Sequence, residues 1–206
     1  MIHEDSPPIV TEITGSIAVV RFNRPAQRNP LSLDTLQELR STTSALFPRN
    51  DIQAVIFTGT DDVFASGANI RELAQLDAEA ALEFSKFGQD LFQTIADARQ
   101  VTIAAINGYC IGGGLDLALA CDIRVASEGA VFSHPGARLG IITGWGGTQR
   151  LPRLIGRARA LEFFATAHRY SSAAALEMGL ISRVGDPTVG CALECARAVE
   201  TVANLS

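Results

Sequence analysis

Short, almost continuously apolar runs alternate with longer amphipathic segments, which predicts a mixed α/β fold in a single domain over residues 1–206. The runs "AVIFTG" and "VTIAAING" are typical of strands buried on both faces. The segment "PPIVTEITGSIAVVRF" indicates two strands that turn at Gly15, and "CDIRVASEGAVF" indicates further short strands. The sequence contains no repeat, low-complexity tract or linker that would mark a second domain.

The remaining segments have the apolar spacing of helices that pack one face against a core. Ser32 is placed to cap a helix that begins at about Leu33. The apolar stripe of that helix consists of Leu36, Leu39, Leu46 and Phe47. A long helix is predicted over residues 77–100, with a buried face formed by Leu82, Phe84, Phe87, Leu91, Phe92 and Ile95. Later helices are predicted from about Gly147, from Arg157, over 172–178 before a C-cap at Gly179, and over 189–203, with loops over 60–70 and 136–147.

Composition and charge narrow the class of protein. With 47% hydrophobic and 19% charged residues, the chain can bury a sizeable core. Its net charge of −5 argues against a general nucleic-acid binder, which needs a basic face for phosphates. The first ten residues, "MIHEDSPPIV", lack the apolar region of a signal peptide, and no apolar run reaches the roughly 18 residues that span a bilayer. We therefore expect a cytoplasmic protein with neither nucleic acid nor membrane as a partner.

The cysteines do not form a recognisable disulfide or metal framework. Cys110, Cys121, Cys191 and Cys195 are few and scattered, although the last two are spaced to share one helix face. Because no second ligand pair stands beside them, the spacing does not indicate a metal site. We expect all four to be small buried apolar residues in a reducing compartment.

The stretch "IGGGLDLALACD" carries the main chemical signal. It lacks the Lys-Ser or Lys-Thr of a phosphate loop, and its glycine spacing does not fit a dinucleotide-binding fingerprint. A helix that begins within the glycines would expose unpaired amide N–H groups, as an oxyanion hole requires, with Asp116 on its first turn as an acid or base. The alternative is that the glycines serve close packing and Asp116 complements the helix dipole.

Five motifs in order carry a resemblance to a known family. They are "NRPAQRNPLS", "FASGANIREL", "AAINGYCIGGGLDLALACDIRVAS", "GGTQRLPRLIG" and "SSAAALEMGLISRV". Over nearly its full length the chain resembles the crotonase family, also called the enoyl-CoA hydratase/isomerase superfamily. The resemblance implies a spiral of ββα units, a homotrimer or dimer of trimers, and acyl-CoA thioester substrates. Coenzyme A is then part of the substrate, and no separate cofactor is expected.

The resemblance also implies roles for particular residues. The backbone N–H groups of Ala68 and Gly113 would stabilise a thioester enolate, and Asp116 would move the proton. Arg24, Arg28 and Arg71 would hold the polyanionic coenzyme, although each could equally be a solvated surface arginine. The full set of residues implied in substrate binding is Arg24, Gln27, Arg28, Ala65, Ala68, Asn69, Ile70, Arg71, Gly112, Gly113, His134, Gly136 and Trp145.

The sequence also departs from the family pattern. Hydratases of the family use two glutamates; here Asp116 holds the first position, and Gly136 leaves the second without a side chain. This argues against efficient hydration and favours isomerase-like or other chemistry that needs one carboxylate. His134 and Arg138 flank this position and could replace the missing group, and His134 could instead be a structural hydrogen-bonding residue. Asn69 stands where the family usually has Asp, and Trp145 either narrows the acyl pocket or only packs.

The end of the chain departs as well. The sequence stops at "VANLS", where relatives usually continue with helices that help to cover the acyl-CoA site. We therefore expect C-terminal helices shorter than usual, whether the protein is naturally short or truncated. The short end and Gly136 together keep a second hypothesis open, a non-catalytic acyl-CoA-binding or assembly subunit with the same fold.

Overall fold

The computed structural model describes residues 7–203, with side chains through residue 199, and its largest sheet has six strands. In spatial order these are β1 (Ile9–Thr14), β2 (Ile17–Phe22), β4 (Ala54–Thr58), β7 (Val101–Ile106), β9 (Ile123–Ala126) and β12 (Arg183–Val184). The predicted hairpin at Gly15 is confirmed as the antiparallel pair β1–β2, and the remaining neighbours in this sheet are parallel.

Two smaller sheets complete the strand framework. The first contains β11 (Tyr170–Ser171), β10 (Val131–Ser133), β8 (Tyr109–Ile111) and β5 (Val63–Ala65), in that order. The second pairs β3 (Pro30–Leu31) with β6 (Gly67–Ala68). Successive strands alternate between the sheets: β4, β7 and β9 lie in the large sheet, and β5, β8 and β10 follow them in the four-stranded one. Because a helix follows after each pair, the chain forms the expected spiral of ββα units.

The helices follow the predicted pattern closely. They are α1 (Leu33–Leu46), α2 (Ile70–Leu73), α3 (Ala78–Ala96), α4 (Gly113–Ala120), α5 (Gly136–Leu139), α6 (Gly147–Ile155), α7 (Arg157–Thr166), α8 (Ser172–Glu177) and α9 (Thr188–Ala203). Ser32 caps α1 as predicted, since its Oγ accepts a hydrogen bond from Thr35 N at 3.2 Å. Gly179 follows α8 with φ of +77°, the left-handed conformation that a glycine C-cap adopts.

Three predictions about these elements were wrong. The segment 60–70, predicted as a loop, contains β5, β6 and the start of α2, and 136–147 contains α5. These elements have two to four residues each, too few for a periodic pattern, and the strands β5 and β6 form by pairing with β8 and β3. Leu82 is 55% exposed because the buried face of α3 lies further along the helix, at Gly88, Leu91, Phe92 and Ile95.

The large sheet is covered on both faces, which explains the apolar character of its central strands. One core lies between the sheets and helices α1, α3, α4, α6 and α7. A second core fills the space between the large sheet and α9, where Ala192 and Ala196 pack among residues that include Ile56 and Ile103. Every residue of β4 is buried, as a strand enclosed on both faces requires. Between residues 7 and 203, none of the helices has the length and apolarity needed to cross a membrane.

Candidate active site

A cavity of about 490 Å³ opens between the β6–α2 segment, the start of α4, the first half of α3 and the loop after β10. Apolar side chains form an exposed rim, with Ile70 58% and Ile142 69% exposed. The cavity brings together eight of the residues predicted from the sequence, namely Ala68, Ile70, Gly112, Gly113, Asp116, His134, Gly136 and Trp145. The glycine-rich segment and the loop after β10 therefore form one site.

The short strand pair β3–β6 sets the direction of the Ala68 amide. Pro30 pairs with Gly67 in a parallel ladder, and Leu31 pairs with Ala68. Because Pro30 has no N–H, the backbone groups of Gly67 supply the ladder bonds at this bridge, and the Ala68 N–H points to the opposite edge, towards α4. Gly67 has φ of +89°, and a Cβ there would lie 2.9 Å from Gly113 N, so glycine is required on both counts.

The start of α4 supplies the second amide. Leu115 N and Asp116 N both donate to Gly112 O, at 2.9 and 3.1 Å, which leaves Gly113 N without an acceptor within the helix. A Cβ placed on Gly113 would lie 3.5 Å from Ala68 N, and one placed on Gly67 would lie 2.9 Å from Gly113 N, so the two backbone segments that carry these amides are in contact. Paired N–H donors at the positive end of a helix are suited to an oxygen atom that gains negative charge.

Asp116 lies on the first turn of α4 and is only 1% exposed. Its Oδ2 accepts a hydrogen bond from the Thr143 hydroxyl, and its Oδ1 lies 3.3 Å from His134 Nε2. Gly147 packs so closely that a Cβ there would lie 2.0 Å from Asp116 Oδ1. The carboxylate is therefore held in one orientation beside the two amides.

The position of the second family carboxylate is closed by backbone. A Cβ on Gly136 would lie 2.6 Å from Ile141 O, because the chain after α5 folds back over this glycine. His134 is 5% exposed, borders the cavity and packs edge-to-face on Phe164 at 5.2 Å between ring centroids. Arg138, also near Gly136 in the sequence, is exposed on α5. Of these residues, His134 alone offers a titratable group next to Asp116.

Trp145 forms the buried wall of the cavity. Its ring makes edge-to-face contacts with Phe84 and Phe92, at centroid distances of 5.3 and 5.6 Å. Its carbonyl oxygen accepts a hydrogen bond from Arg150 Nη1 at 3.2 Å. Burial lowers the pKa of Arg150, and the nearby Asp116 and Asp97 charges oppose that shift. A cationic side chain therefore lies behind the buried acid.

The predicted coenzyme-binding residues lie outside the cavity lining. Arg24 pairs with Asp34 at 2.8 Å, while the guanidinium of Arg28 stacks 4.7 Å from the Tyr109 ring centroid. Gln27 and Arg71 are exposed. Ala65, predicted near the adenine, is fully buried in β5 and packs its carbonyl oxygen against Gly114. Gln27, Arg28 and Arg71 thus keep a polar or charged group at the surface. Ala65 can offer only its backbone groups to a ligand.

Sequence reasoning missed Asn29, which fixes the loop of the first motif. This residue is 2% exposed and has a positive φ of 47°. Its Nδ2 donates to Val63 O and its Oδ1 accepts from Arg24 N, both at 2.8 Å. The loop is thereby attached to β5, close to the strand that carries Ala68. An asparagine just before Pro30 was the available signal, because asparagine tolerates the left-handed region better than most residues.

Glu72 was also missed, although it supports the Ala68 segment. Asn69 caps α2 by accepting from Arg71 N at 3.1 Å, and its Nδ2 donates to Glu72 Oε1 at 2.8 Å. The other oxygen of Glu72 accepts from Leu33 N at 2.9 Å, which joins the starts of α1 and α2. The available signal was the spacing of a cap residue and a glutamate three positions later.

The prediction that all four cysteines are buried is confirmed for two of them and wrong for the other two. Cys110 and Cys121 are buried, whereas Cys191 and Cys195 are half-buried on α9. Burial raises the pKa of Cys121 to about 12 and raises that of Cys110, near Asp116, well above its ordinary value. Cys110 is therefore a thiol at neutral pH and supplies no nucleophile to the site. Within residues 7–203 there is no group of three or more side chains suited to hold a metal ion.

The fold and the cavity together define a class of protein: a spiral of ββα units that presents two backbone donors beside a buried acid. Comparison with known proteins makes the assignment specific. The family model described as enoyl-CoA hydratase/isomerase matches residues 12–201. The chain therefore belongs to the enoyl-CoA hydratase/isomerase family, the crotonase family, and the prediction of an enzyme of this type is confirmed.

Individual relatives agree with this assignment. The chain is 39% identical over 180 residues to a crotonyl-CoA hydratase of Syntrophomonas wolfei, covering 87% of this chain and 69% of that protein. It is 37% identical over 181 residues to a short-chain-enoyl-CoA hydratase of Clostridium acetobutylicum, with the same coverage. The crystal structure of enoyl-CoA hydratase from Bacillus anthracis matches with a TM-score of 0.90 at 36% identity, covering 94% of this chain and 76% of that one.

Proposed function

We propose that the protein converts an acyl-CoA thioester through an enolate, with a shift of a double bond as its favoured reaction. The observation that carries the proposal is the pair of amides at Ala68 and Gly113 beside the buried carboxylate of Asp116. The family supports the substrate class, since its relatives include proteins named for crotonyl-CoA and short-chain enoyl-CoA. Coenzyme A enters as part of the substrate, and no further cofactor takes part.

The proposed reaction consists of two proton transfers. The thioester oxygen accepts hydrogen bonds from Ala68 N and Gly113 N, which lowers the cost of removing a proton from the α-carbon. The Asp116 carboxylate takes that proton, and the electron pair of the C–H bond becomes the enolate, conjugated with the double bond. When the same acid returns the proton to the γ-carbon, the double bond moves towards the thioester and no atom is gained or lost. One carboxylate suffices.

The environment of Asp116 supports this role. Thr143 and His134 contact one carboxylate oxygen each, which orients the base towards the cavity. Among the described residues, neither a lysine nor an arginine forms an ion pair with this carboxylate. His134 acts here as a positioning residue. Arg150 lies behind the carboxylate, and the Asp116 charge partly offsets the lowering of the arginine's pKa by burial.

Hydration is disfavoured by the opposite wall of the cavity. Adding water across a double bond calls for one group to orient the water and another to share the proton transfer. Gly136 offers no side chain, and the Ile141 carbonyl occupies the space into which one would grow. Relative to the family pattern, the departure at Gly136 thus affects a group that would activate water, whereas Ala68 and Gly113 still offer paired amides.

The coenzyme and the assembly are proposed on the resemblance to the family. Arg24, Arg28 and Arg71 are the cations proposed for the phosphate groups, with Arg28 and Arg71 exposed at the surface. We also propose that the chain assembles into a trimer or a dimer of trimers and acts in the cytoplasm. Sedimentation analysis of the purified chain would test the oligomeric state.

The proposed reaction is tested by product analysis with two positional isomers. We expect trans-3-enoyl-CoA to be converted to trans-2-enoyl-CoA at least about 10²-fold faster than trans-2-enoyl-CoA gains water, because one acid can serve only the first reaction. Asp116→Asn keeps the shape of the buried side chain and should lower isomerisation by about 10²- to 10⁴-fold with little change in acyl-CoA affinity. Hydration as the dominant reaction would contradict the proposal.

A second function is favoured by the near-complete burial of Asp116. One carboxylate oxygen of Asp116 accepts a hydrogen bond from Thr143, the other lies 3.3 Å from His134 Nε2, and the side chain is almost completely buried. Such a carboxylate can be purely structural, in which case the chain is an acyl-CoA-binding or assembly subunit. The two functions differ in one measurable property, the exchange of the α-protons of a bound thioester with solvent.

A further inference from the structure

We infer that Trp145 limits the length of the acyl chain, so that the protein selects short acyl groups; the inference rests on the proposed acyl-CoA function. The indole lies directly against the oxyanion glycine. A Cβ on Gly113 would come within 2.3 Å of Trp145 Cζ3, which leaves no free layer between this ring and the carbon that carries the amide. An acyl chain bound at this amide therefore meets the indole close to its carbonyl carbon.

The opposite edge of the indole is matched by a second glycine. A Cβ on Gly88, in the middle of α3, would lie 2.3 Å from Trp145 Cδ1 and Nε1. The ring thus spans the gap between α3 and α4, with glycine at both edges. It is 5% exposed and has Phe84 and Phe92 beside it, so the space beyond it is apolar core. A smaller side chain at 145 would extend the cavity into that core.

The backbone on both sides of Trp145 is held in place. Ser85 Oγ and Gln89 Nε2 donate to Gly144 O, at 3.0 and 2.7 Å, which attaches the loop to α3. Arg150 Nη1 donates to Trp145 O at 3.2 Å from the α6 side. Since the loop is attached on both sides and the ring is packed at both edges, a long acyl chain cannot displace the indole without breaking these contacts. Trp145 is therefore a fixed wall rather than a gate.

The test measures binding, so it does not depend on turnover. Butyryl-, hexanoyl-, octanoyl- and decanoyl-CoA are titrated calorimetrically into the wild-type chain, Trp145→Phe and Trp145→Ala. We expect wild-type affinity to fall at least about tenfold between butyryl- and octanoyl-CoA. In Trp145→Ala each added methylene should instead tighten binding by up to about fourfold until the new space is filled, with Trp145→Phe intermediate.

The control is Phe87→Leu, which changes another aromatic residue of α3. Phe87 packs under Arg40, with the guanidinium 4.5 Å from the ring centroid, and does not line the cavity. This variant should keep the wild-type length profile. Circular dichroism and thermal melting show which variants fold. If Trp145→Ala does not fold, the length profile of Trp145→Phe, which is the smaller change, decides the outcome.

A direct readout comes from fluorescence, because Trp145 is the only tryptophan of the chain. Butyryl-CoA binding should change its emission. An unchanged emission at saturating ligand, or a length profile that stays the same in a folded Trp145→Phe, would overturn the inference. Binding with the expected length dependence but without turnover would contradict the proposed chemistry alone, and absence of acyl-CoA binding would contradict both.

Discussion

Asp116 combines two properties that rarely occur together, near-complete burial and contact with a ligand-sized cavity. An ionised carboxylate can remain buried only when hydrogen bonds replace its hydration. Here the Thr143 hydroxyl donates to one oxygen, and His134 lies within 3.3 Å of the other. The side chains that make burial tolerable therefore also determine how the carboxylate faces the cavity.

Removal of the Thr143 donor should impair catalysis more than binding. Thr143→Val keeps the size and the branching of the side chain but leaves Asp116 Oδ2 without its partner. Because a hydrogen bond to a charged group contributes about 1.5–3 kcal/mol, we expect kcat to fall by about 10- to 100-fold with KM nearly unchanged. Steady-state kinetics with the acyl-CoA that the wild type converts measures both constants.

The matched control is Thr143→Ser, which keeps the hydroxyl and loses a methyl group. It should retain most of the wild-type kcat. Equal losses in the two variants would show that Thr143 acts through packing, and a rise in KM alone would place it in substrate binding.

Glycines decide what this site can contain, and their individual roles were only partly readable from the sequence. The triplet at Gly112–Gly114 was recognisable as an exposed helix start. The need for Gly147 and Gly136 was not, since the first faces Asp116 Oδ1 and the second faces the Ile141 carbonyl only after the chain has folded. Close approach between distant segments has no signature along the chain.

At the scale of elements, helix α4 determines the site because it carries both Gly113 and Asp116. Its start is tied to β10 through Gly112 N, which donates to Ser133 O at 2.9 Å. Its end is tied to β7 through Asp122, whose Oδ2 accepts from Thr102 N at 2.8 Å and from Thr102 Oγ1 at 2.9 Å. The helix is therefore attached at both ends to strands of different sheets.

Loss of the Asp122 anchor should destabilise the protein. Thr102 is fully buried, so Asp122→Ala leaves its N–H and hydroxyl without an acceptor, at a cost of about 1–3 kcal/mol in the free energy of unfolding. Urea denaturation measures this free energy. Asp122→Asn keeps one carbonyl oxygen as an acceptor, so its free energy of unfolding should fall by less than that of Asp122→Ala. A wild-type free energy in Asp122→Ala would contradict the anchoring role.

The long elements were predictable because their patterns are local. Helix α3 and strand β4 can be read from apolar spacing and from an uninterrupted apolar run. Strands β5, β6 and β8 could not be read in this way, because two or three residues contain no period. These short strands form the smaller sheets and orient the Ala68 amide, so the site depends on the elements that the sequence shows least clearly.

At the scale of the whole molecule, the ββα spiral explains why one cavity collects residues from four separate segments. Each unit sends one strand into the large sheet and the next into a smaller one, and the turn or helix that follows reaches the same side of the molecule. Residues 68, 113, 134 and 145 belong to different segments and meet at this side. The family resemblance supplied this arrangement in advance; hydrophobic patterning alone indicated only an α/β domain.

The proposed function requires that the paired amides and Asp116 generate an enolate from a bound thioester. The most direct test is proton NMR of butyryl-CoA and of the positional enoyl-CoA isomers in D₂O, with the wild-type chain and Asp116→Asn in parallel. We predict that the wild type replaces α-protons by deuterium and that the variant binds the same thioester with at least about 10²-fold slower exchange. Equal exchange in both proteins, or line broadening of the coenzyme without exchange in the wild type, would contradict enolate formation by Asp116.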